Sequence, residues 1–239
     1  MADFTSLIKG VEQLGFSLEK RQLEQFYRYY EILIEKNKVM NLTAITEYEE
    51  VIQKHFLDSI SIVLWSGFKK NASVIDVGTG AGFPGIPLKI AFPDLQVLLL
   101  DSLKKRVNFL NEVINELGLS QITAVHGRAE DFARKADYRE KFYLCTSRAV
   151  ANLSTLSEYC IPFVKVGGYF VSYKSGKVEE ELLQAKKAIS VLNGRVEDTV
   201  SFLLPGTDIE RALIVVRKEK EVSVKYPRKA GMPSKEPLR

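Results

Sequence analysis

Cysteine and histidine are scarce: two of each, Cys145, Cys160, His55 and His126, occur in 239 residues. Residues so few and so scattered exclude a disulfide scaffold and give no zinc-ligand spacing, so no metal centre is expected. Long apolar runs are missing as well; none approaches the ~20 residues that a membrane span needs. The opening MADFTSLIKGVEQLG has early acids and no long apolar core, so no secretory leader is expected. The expected compartment is therefore a reducing cytoplasm, with no membrane contact. Internal repeats and low-complexity tracts are absent. What is present is an ordinary globular balance, 46% hydrophobic and 27% charged, long enough for one domain with an appended lobe.

Charge is modest overall at +4 but unevenly placed. From Arg217 to Arg239 there are eight Lys or Arg against three Glu, while the rest of the chain is close to neutral. A basic end on a neutral body fits a polyanionic partner, and equally a solvated tail that keeps the protein soluble.

The first seventy residues read as helical. In SLEKRQLEQFYRYYEILIEKNKVM, Leu18, Leu23, Phe26, Tyr30, Leu33 and Ile34 recur on one face, with Ser17 as the expected N-cap. The aromatics Phe26, Tyr27, Tyr29 and Tyr30 suit a core more often than a base-stacking platform. A second helical pattern, YEEVIQKHFLDSISIVLW, ends near Gly67. From Ser73 the pattern becomes strand, turn, helix, repeated. SVIDV, QVLLLD, ITAVHG, FYLCTSRA and GGYFVSYKS are strands, and the segments between them are amphipathic. In the helix SLKKRVNFLNEVINELG, Leu103, Val107, Leu110, Ile114 and Leu117 line one side and Ser102 is a candidate cap. RVEDTVSFLL and ERALIVVRK follow without a helix between them, so they are expected to pair antiparallel. The sum is an α/β doubly wound sheet over 71–239, with a helical N-terminal cap over 1–70.

The stretch VIDVGTGAGFPGIPLK, after the first strand, is where such a sheet binds a ligand. A dinucleotide fingerprint needs G-x-G-x-x-G, but position 83 is Phe; a phosphate-binding loop ending in Gly-Lys-Ser/Thr is absent. What stands there is Asp76, Gly78, Gly80 and Gly82, with Asp101 at the end of the next strand. An acid at that place accepts hydrogen bonds from ribose hydroxyls, and an adenosine ligand without pyrophosphate needs no long phosphate cradle. S-adenosylmethionine fits, and is favoured over a nicotinamide cofactor. Beyond the third strand, Glu130 or the backbone at Ala129 can meet the adenine edge; Glu130 is otherwise an ordinary helix-start acid. Arg148, past the fourth strand, can bind the methionine carboxylate or a substrate phosphate, or else pair with Asp76 or Glu130.

The methyl acceptor is narrowed by what is missing. There is no polar-Pro-Pro-aromatic turn for an exocyclic amine. Cys145, the only thiol near the fourth strand's end, lacks an activating Pro-Cys turn and reads as a small buried residue. A ring nitrogen such as guanine N7 has a free lone pair and needs alignment rather than a base. No catalytic residue is assigned.

The strings NLTAI, HFLDS, VIDVGTGAGFPGIPLKI, LLDSLKKRVNFL, GRAED and SRAVANL, in this order and spacing, resemble the RsmG (formerly GidB) family of bacterial ribosomal RNA methyltransferases. The resemblance runs from the N-terminal helices to the closing strands. It implies a class I, Rossmann-like methyltransferase that uses S-adenosylmethionine to methylate N7 of one guanine in the decoding-region loop of 16S rRNA, on the small ribosomal subunit or its assembly intermediate. It implies cofactor contacts at Gly78, Phe83, Ala129, Glu130 and Arg148, with Gly80 in the same turn and Asp101 on the ribose. The basic tail YPRKAGMPSKEPL is similar in character, which implies Arg228 and Lys229 on RNA phosphates. At family level, loss of such enzymes goes with low-level streptomycin resistance. His55 and Asp58, three apart on a helix, either line the guanine pocket or fasten the cap to the sheet. A monomer is expected. The reading kept beside it is a non-catalytic ribosome-assembly factor that senses S-adenosylmethionine.

Overall fold

The computed structural model of the protein describes residues 3–148, 151–176 and 178–238. Helices α1 (Thr5–Gln13) and α2 (Lys20–Met40) lead into α3 (Tyr48–Val51), a π-helical stretch (Ile52–Leu57), α4 (Asp58–Ile60) and a 3-10 turn (Ser61–Leu64). Then β1 (Ser73–Val77), α5 (Gly85–Ala91), β2 (Gln96–Asp101), α6 (Lys104–Glu116), β3 (Ile122–His126), α7 (Ala129–Phe132) and β4 (Phe142–Arg148) alternate. The chain closes with α8 (Leu153–Cys160), β5 (Val164–Ser175), α9 (Glu179–Val191), β6 (Gly194–Leu203), β7 (Glu210–Lys218) and α10 (Met232–Lys235).

The strands form one sheet in the order β3-β2-β1-β4-β5-β7-β6. β1 to β5 are parallel, and β7 runs antiparallel to both β5 and β6. The closing pair is therefore antiparallel as expected, but β7 inserts beside β5 and leaves β6 at the edge. β7 buries Ala212 to Val216 on both faces, whereas β6 alternates exposed and half-buried residues, which is what an inner and an edge strand require. Strand order reverses between β1 and β4, so crevices open at their carboxyl ends.

Period-two alternation sorts β1 between two cores: Val74 joins one and Ile75 and Val77 the other. The first core also takes Leu7, Phe26, Leu33, Ile52 and Phe56 from the N-terminal helices, with Ile86 and Leu110 from α5 and α6. The N-terminal helices thus share one apolar layer with this face of the sheet. α8 and α9 cover the opposite face through Leu156, Ala185 and Ile189.

Two caps differ from expectation. α2 starts after Glu19, not Ser17: Glu19 and Gln22 form a reciprocal capping box. α6 is capped by Leu103 without a side chain, because the Asp101 Oδ1 already accepts the Leu103 N–H at 2.8 Å, and Leu103 itself is 42% exposed. Phe26 and Tyr29 are buried, so they belong to the core and not to a stacking platform. Cys145 is fully buried, and burial pushes its thiol up, as befits a packing residue.

Candidate functional site

The glycine turn is held from below by two carboxylates and a phenol. Gly78, Gly80 and Gly82 all have positive φ, 71°, 63° and 106°, which L side chains rarely adopt. The Gly78 N–H bonds the Leu100 carbonyl at 2.8 Å, and the Gly80 N–H bonds Asp101 Oδ2 at 2.9 Å. Asp76 Oδ2 accepts the Gly85 N–H at 2.9 Å. Burial pushes Asp76 up to about 6, against hydrogen bonds that favour its ionised form. Tyr29, fully buried on α2, donates its hydroxyl to the Ala81 carbonyl. A Cβ at Gly82 would lie 2.7 Å from that phenol oxygen, so the third glycine answers to the N-terminal helix beneath it.

Two cavities open at the carboxyl ends of the strands, one beside the turn at β1 to β3 and one at β4 and β5. The first, about 470 Å³, is lined by Val77, Gly78, Ser102, Ala129, Tyr159 and Gly231, among others. The second, about 430 Å³, is lined by Lys54, His55, Asp58, Arg148, Lys174 and Arg211, among others.

The expected residues divide between them. Gly78, Ala129 and Glu130 line the first cavity. Glu130 is buried, and its Oε1 accepts the Gly231 N–H of the C-terminal tail at 2.8 Å. Gly80 and Asp101 stand just behind the wall; each Asp101 oxygen holds one backbone N–H, which leaves lone pairs on both, and Arg106 sits at 3.5 Å. Arg148 lines the second cavity, and Phe83 packs against two of its lining residues. The Phe83 ring stacks on His55, centroids 4.4 Å apart, and the Arg148 guanidinium lies 5.0 Å above the same ring. In SRAVANL, Ala149 and Val150 lie outside the described residues.

Arg148 pairs with neither Asp76 nor Glu130. Its partner is Asp58, at 2.7 Å, with the Lys54 carbonyl at 3.2 Å. Asp58 is buried and takes a second guanidinium, Arg211, at 3.2 Å. Arginine only donates, so the His55 Nδ1 facing Arg148 at 3.2 Å is the acceptor. The proton therefore sits on His55 Nε2 and is donated to Thr43 Oγ1 at 2.8 Å. Burial, with the Arg148 charge added, brings the His55 imidazole down to about 3. NLTAI and HFLDS thus meet in one chain, Thr43–His55–Arg148–Asp58–Arg211, which fastens the N-terminal helices to β4 and β7. Lys174 is held by Glu181 at 2.6 Å.

The tail gives Arg228 a partner that the sequence does not announce. Arg228 is half-buried, and its backbone N–H and guanidinium make four hydrogen bonds, 2.7–3.1 Å, to the fully buried Glu158 of α8. The side-chain bonds use Nε and Nη2, so the guanidinium is anchored to α8 while Nη1 is not part of the fork. Lys229, next to it, is exposed. Reading the sequence missed Glu158 and Arg211. A lone acid inside the apolar run NLSTLSEYCIPF was the available signal for the first; nothing marked the second.

Comparison with known proteins now decides the family. The family model for rRNA small subunit methyltransferase G, GidB, matches residues 22–213. The chain belongs to the GidB family. Relatives called ribosomal RNA small subunit methyltransferase G are 60% identical in Lachnoclostridium phytofermentans, over 100% of this chain and 98% of that one. In Clostridium botulinum the identity is 48% over the whole of both chains. Among solved structures, TrmN from Thermus thermophilus matches with a TM-score of 0.52 at 13% identity, over 70% of this chain and 53% of that one. TYW2 of P. horikoshii matches at 0.51 and 14%, over 70% of this chain and 61% of that one. These two likenesses bear on the fold alone, a class I methyltransferase sheet; membership of the GidB family is what makes the protein a methyltransferase.

Proposed function

We propose that the protein transfers a methyl group from S-adenosylmethionine to N7 of one guanine in the decoding-region loop of 16S rRNA, within the small ribosomal subunit or its assembly intermediate. The observation that carries the choice of acceptor is the state of the second cavity. Among the described residues that line it, the groups that could remove a proton are each paired. His55 is neutral with both nitrogens bonded, Asp58 holds two guanidiniums, and Glu181 holds Lys174. An acceptor that attacks through a free lone pair needs none of them; it needs alignment and exclusion of water.

The first cavity fits an adenosyl group: it is concave, of suitable volume, and walled at the turn by backbone where glycine leaves no side chain in the way. When bound, S-adenosylmethionine supplies an electrophilic methyl on a sulfonium. Gly78, Ala129 and Glu130 would hold the adenosine, and Asp101, with Gly80 fixed to it, would meet the ribose. Arg148 would hold the methionine carboxylate from the second cavity, over Phe83. Lys54, Arg148, Lys174 and Arg211 give that cavity a cationic lining suited to a nucleotide's phosphate, and Lys229 is an exposed charge on the tail. On this reading the protein acts in the cytoplasm as a monomer.

Labelled S-adenosylmethionine and small subunits lacking the modification provide the test. Label recovered at N7 of a single 16S guanine is the expected result. Cofactor binding without transfer would overturn it in favour of a non-catalytic sensing factor. Asp101→Ala should weaken S-adenosylhomocysteine by about 1–3 kcal/mol, the scale of a hydrogen bond to a charged group, as read by calorimetry.

A further inference from the structure

The C-terminal tail lies beyond the residues that the family model matches, yet it supplies part of the first cavity: Gly231 and Ser234 line it opposite Gly78 and Ala129. Few apolar side chains secure it; Val222, Pro227 and Pro233 are buried. Its attachment is polar. Arg139 donates to the Val222 and Tyr226 carbonyls at 2.7 and 2.9 Å, and Arg134 to the Pro227 carbonyl. Thr155 donates to the Pro233 carbonyl at 3.1 Å. At the centre stand two buried acids. Glu158 is wholly inaccessible and is compensated by Arg228; Glu130 accepts the Gly231 N–H. A buried carboxylate left without its partner is strongly unfavourable, so each acid fixes the tail segment that answers it.

We propose that the tail from Val222 to Glu236 is a wall of the adenosyl site, and that Arg228 is a positioning residue which, through Glu158, seats Gly231 and Ser234 against the cavity. The proposal rests on the reading of the first cavity as the cofactor site. It moves Arg228 from RNA to cofactor and leaves Lys229 as the residue of that pair exposed to a polyanion. Arg228 touches no reacting atom. Its loss should therefore raise the KM for S-adenosylmethionine while leaving the kcat at saturation close to wild type, a split that general loss of structure would not produce.

The test is calorimetric titration of the full-length protein with S-adenosylhomocysteine, alongside filter binding of 16S rRNA across a salt series. Arg228→Ala is expected to weaken S-adenosylhomocysteine by about ten-fold or more, as loss of a charge-assisted fork implies. Arg228→Lys should recover only part, since lysine cannot form the fork. The RNA salt slope of Arg228→Ala should match wild type. Ser234→Trp, at an exposed position on the rim, keeps the latch but crowds the cavity, and should weaken the same ligand with an unchanged melting temperature. The proposal is overturned if Arg228→Ala and Ser234→Trp both bind S-adenosylhomocysteine within two-fold of wild type, or if Arg228→Ala lowers the RNA salt slope instead. Failure of wild type to bind S-adenosylhomocysteine at all would reject the underlying reading of the cavity, a result distinct from either.

Discussion

The two ends of the chain are held to the same sheet by opposite means. The N-terminal helices bury a continuous apolar face, with Leu7, Val11, Phe26, Leu33, Ile52 and Phe56 all inaccessible or nearly so. The tail buries few such residues and depends on Arg228, Glu158, Glu130 and Arg139. Both reach the glycine turn: α2 supports it from beneath through Tyr29, and the tail lines the cavity beside it through Gly231. An apolar attachment is cooperative with the fold, whereas a polar strap can open locally, since Glu158 and Glu130 would regain water as it leaves. The first end therefore sets whether the turn exists, and the second how well the turn is closed.

Four changes would break or sharpen that contrast. The largest effect belongs to Phe26→Ala, which removes a buried ring in contact with Phe56 and should cost about 3–5 kcal/mol in urea denaturation. A loss below 1 kcal/mol would show that the helices are an independent cap. Next comes His55, the polar bolt of the N-terminal end. In the folded protein it stays neutral down to about pH 3, while unfolded histidine takes its proton near 6.5. The unfolded state thus binds more protons between these values. The stability that neutral His55 contributes is complete above pH 6.5 and falls as pH drops, by about 1.4 kcal/mol per unit. Asp76, raised to about 6, works in the other sense: its contribution is complete below about 4 and is lost as pH rises through 6. The two slopes oppose each other in between, so wild type alone would hide them. His55→Gln removes one, and its stability gap to wild type should narrow by about 2 kcal/mol from pH 7 to pH 5. A constant gap would mean that His55 titrates normally.

The third effect is local. Arg228→Ala should abolish hydrogen-exchange protection at the tail amides of Gly231 and Lys235 while leaving Ile75 in β1 as slow as in wild type. Equal loss at both would make the tail part of the cooperative core. The smallest is Lys229→Ala, which should reduce the RNA-binding salt slope by about one unit, one released counterion, and leave cofactor affinity alone. An unaltered slope would take Lys229 off the phosphate.

The same contrast explains what could be read from the sequence. Strands such as QVLLLD and the apolar stripe of α6 declare themselves by period, and the glycine turn by composition. Residues that work by contact with distant chain do not. Arg148 and Asp58 are 90 positions apart, as Arg228 and Glu158 are 70, and no local pattern pairs them. Charge names a residue's sign and not its partner, so the sequence offers Asp76 or Glu130 as ion-pair partners for Arg148 and gives no sign of Asp58, nor of Glu158 for Arg228. The π-helical stretch at Ile52–Leu57, which presents His55 and leads into Asp58, is similarly invisible: its residues keep an ordinary helical composition.

The central claim is that the cavity between the glycine turn, the end of β3 and the tail receives the adenosyl group. A crystal structure of the protein with S-adenosylhomocysteine tests it most directly. The account predicts adenosine density against Gly78 and Ala129, with ribose hydroxyls within hydrogen-bonding distance of Asp101 and the Gly231 segment closed over it. Density elsewhere on the sheet, or in this cavity with the tail displaced into solvent, would contradict it.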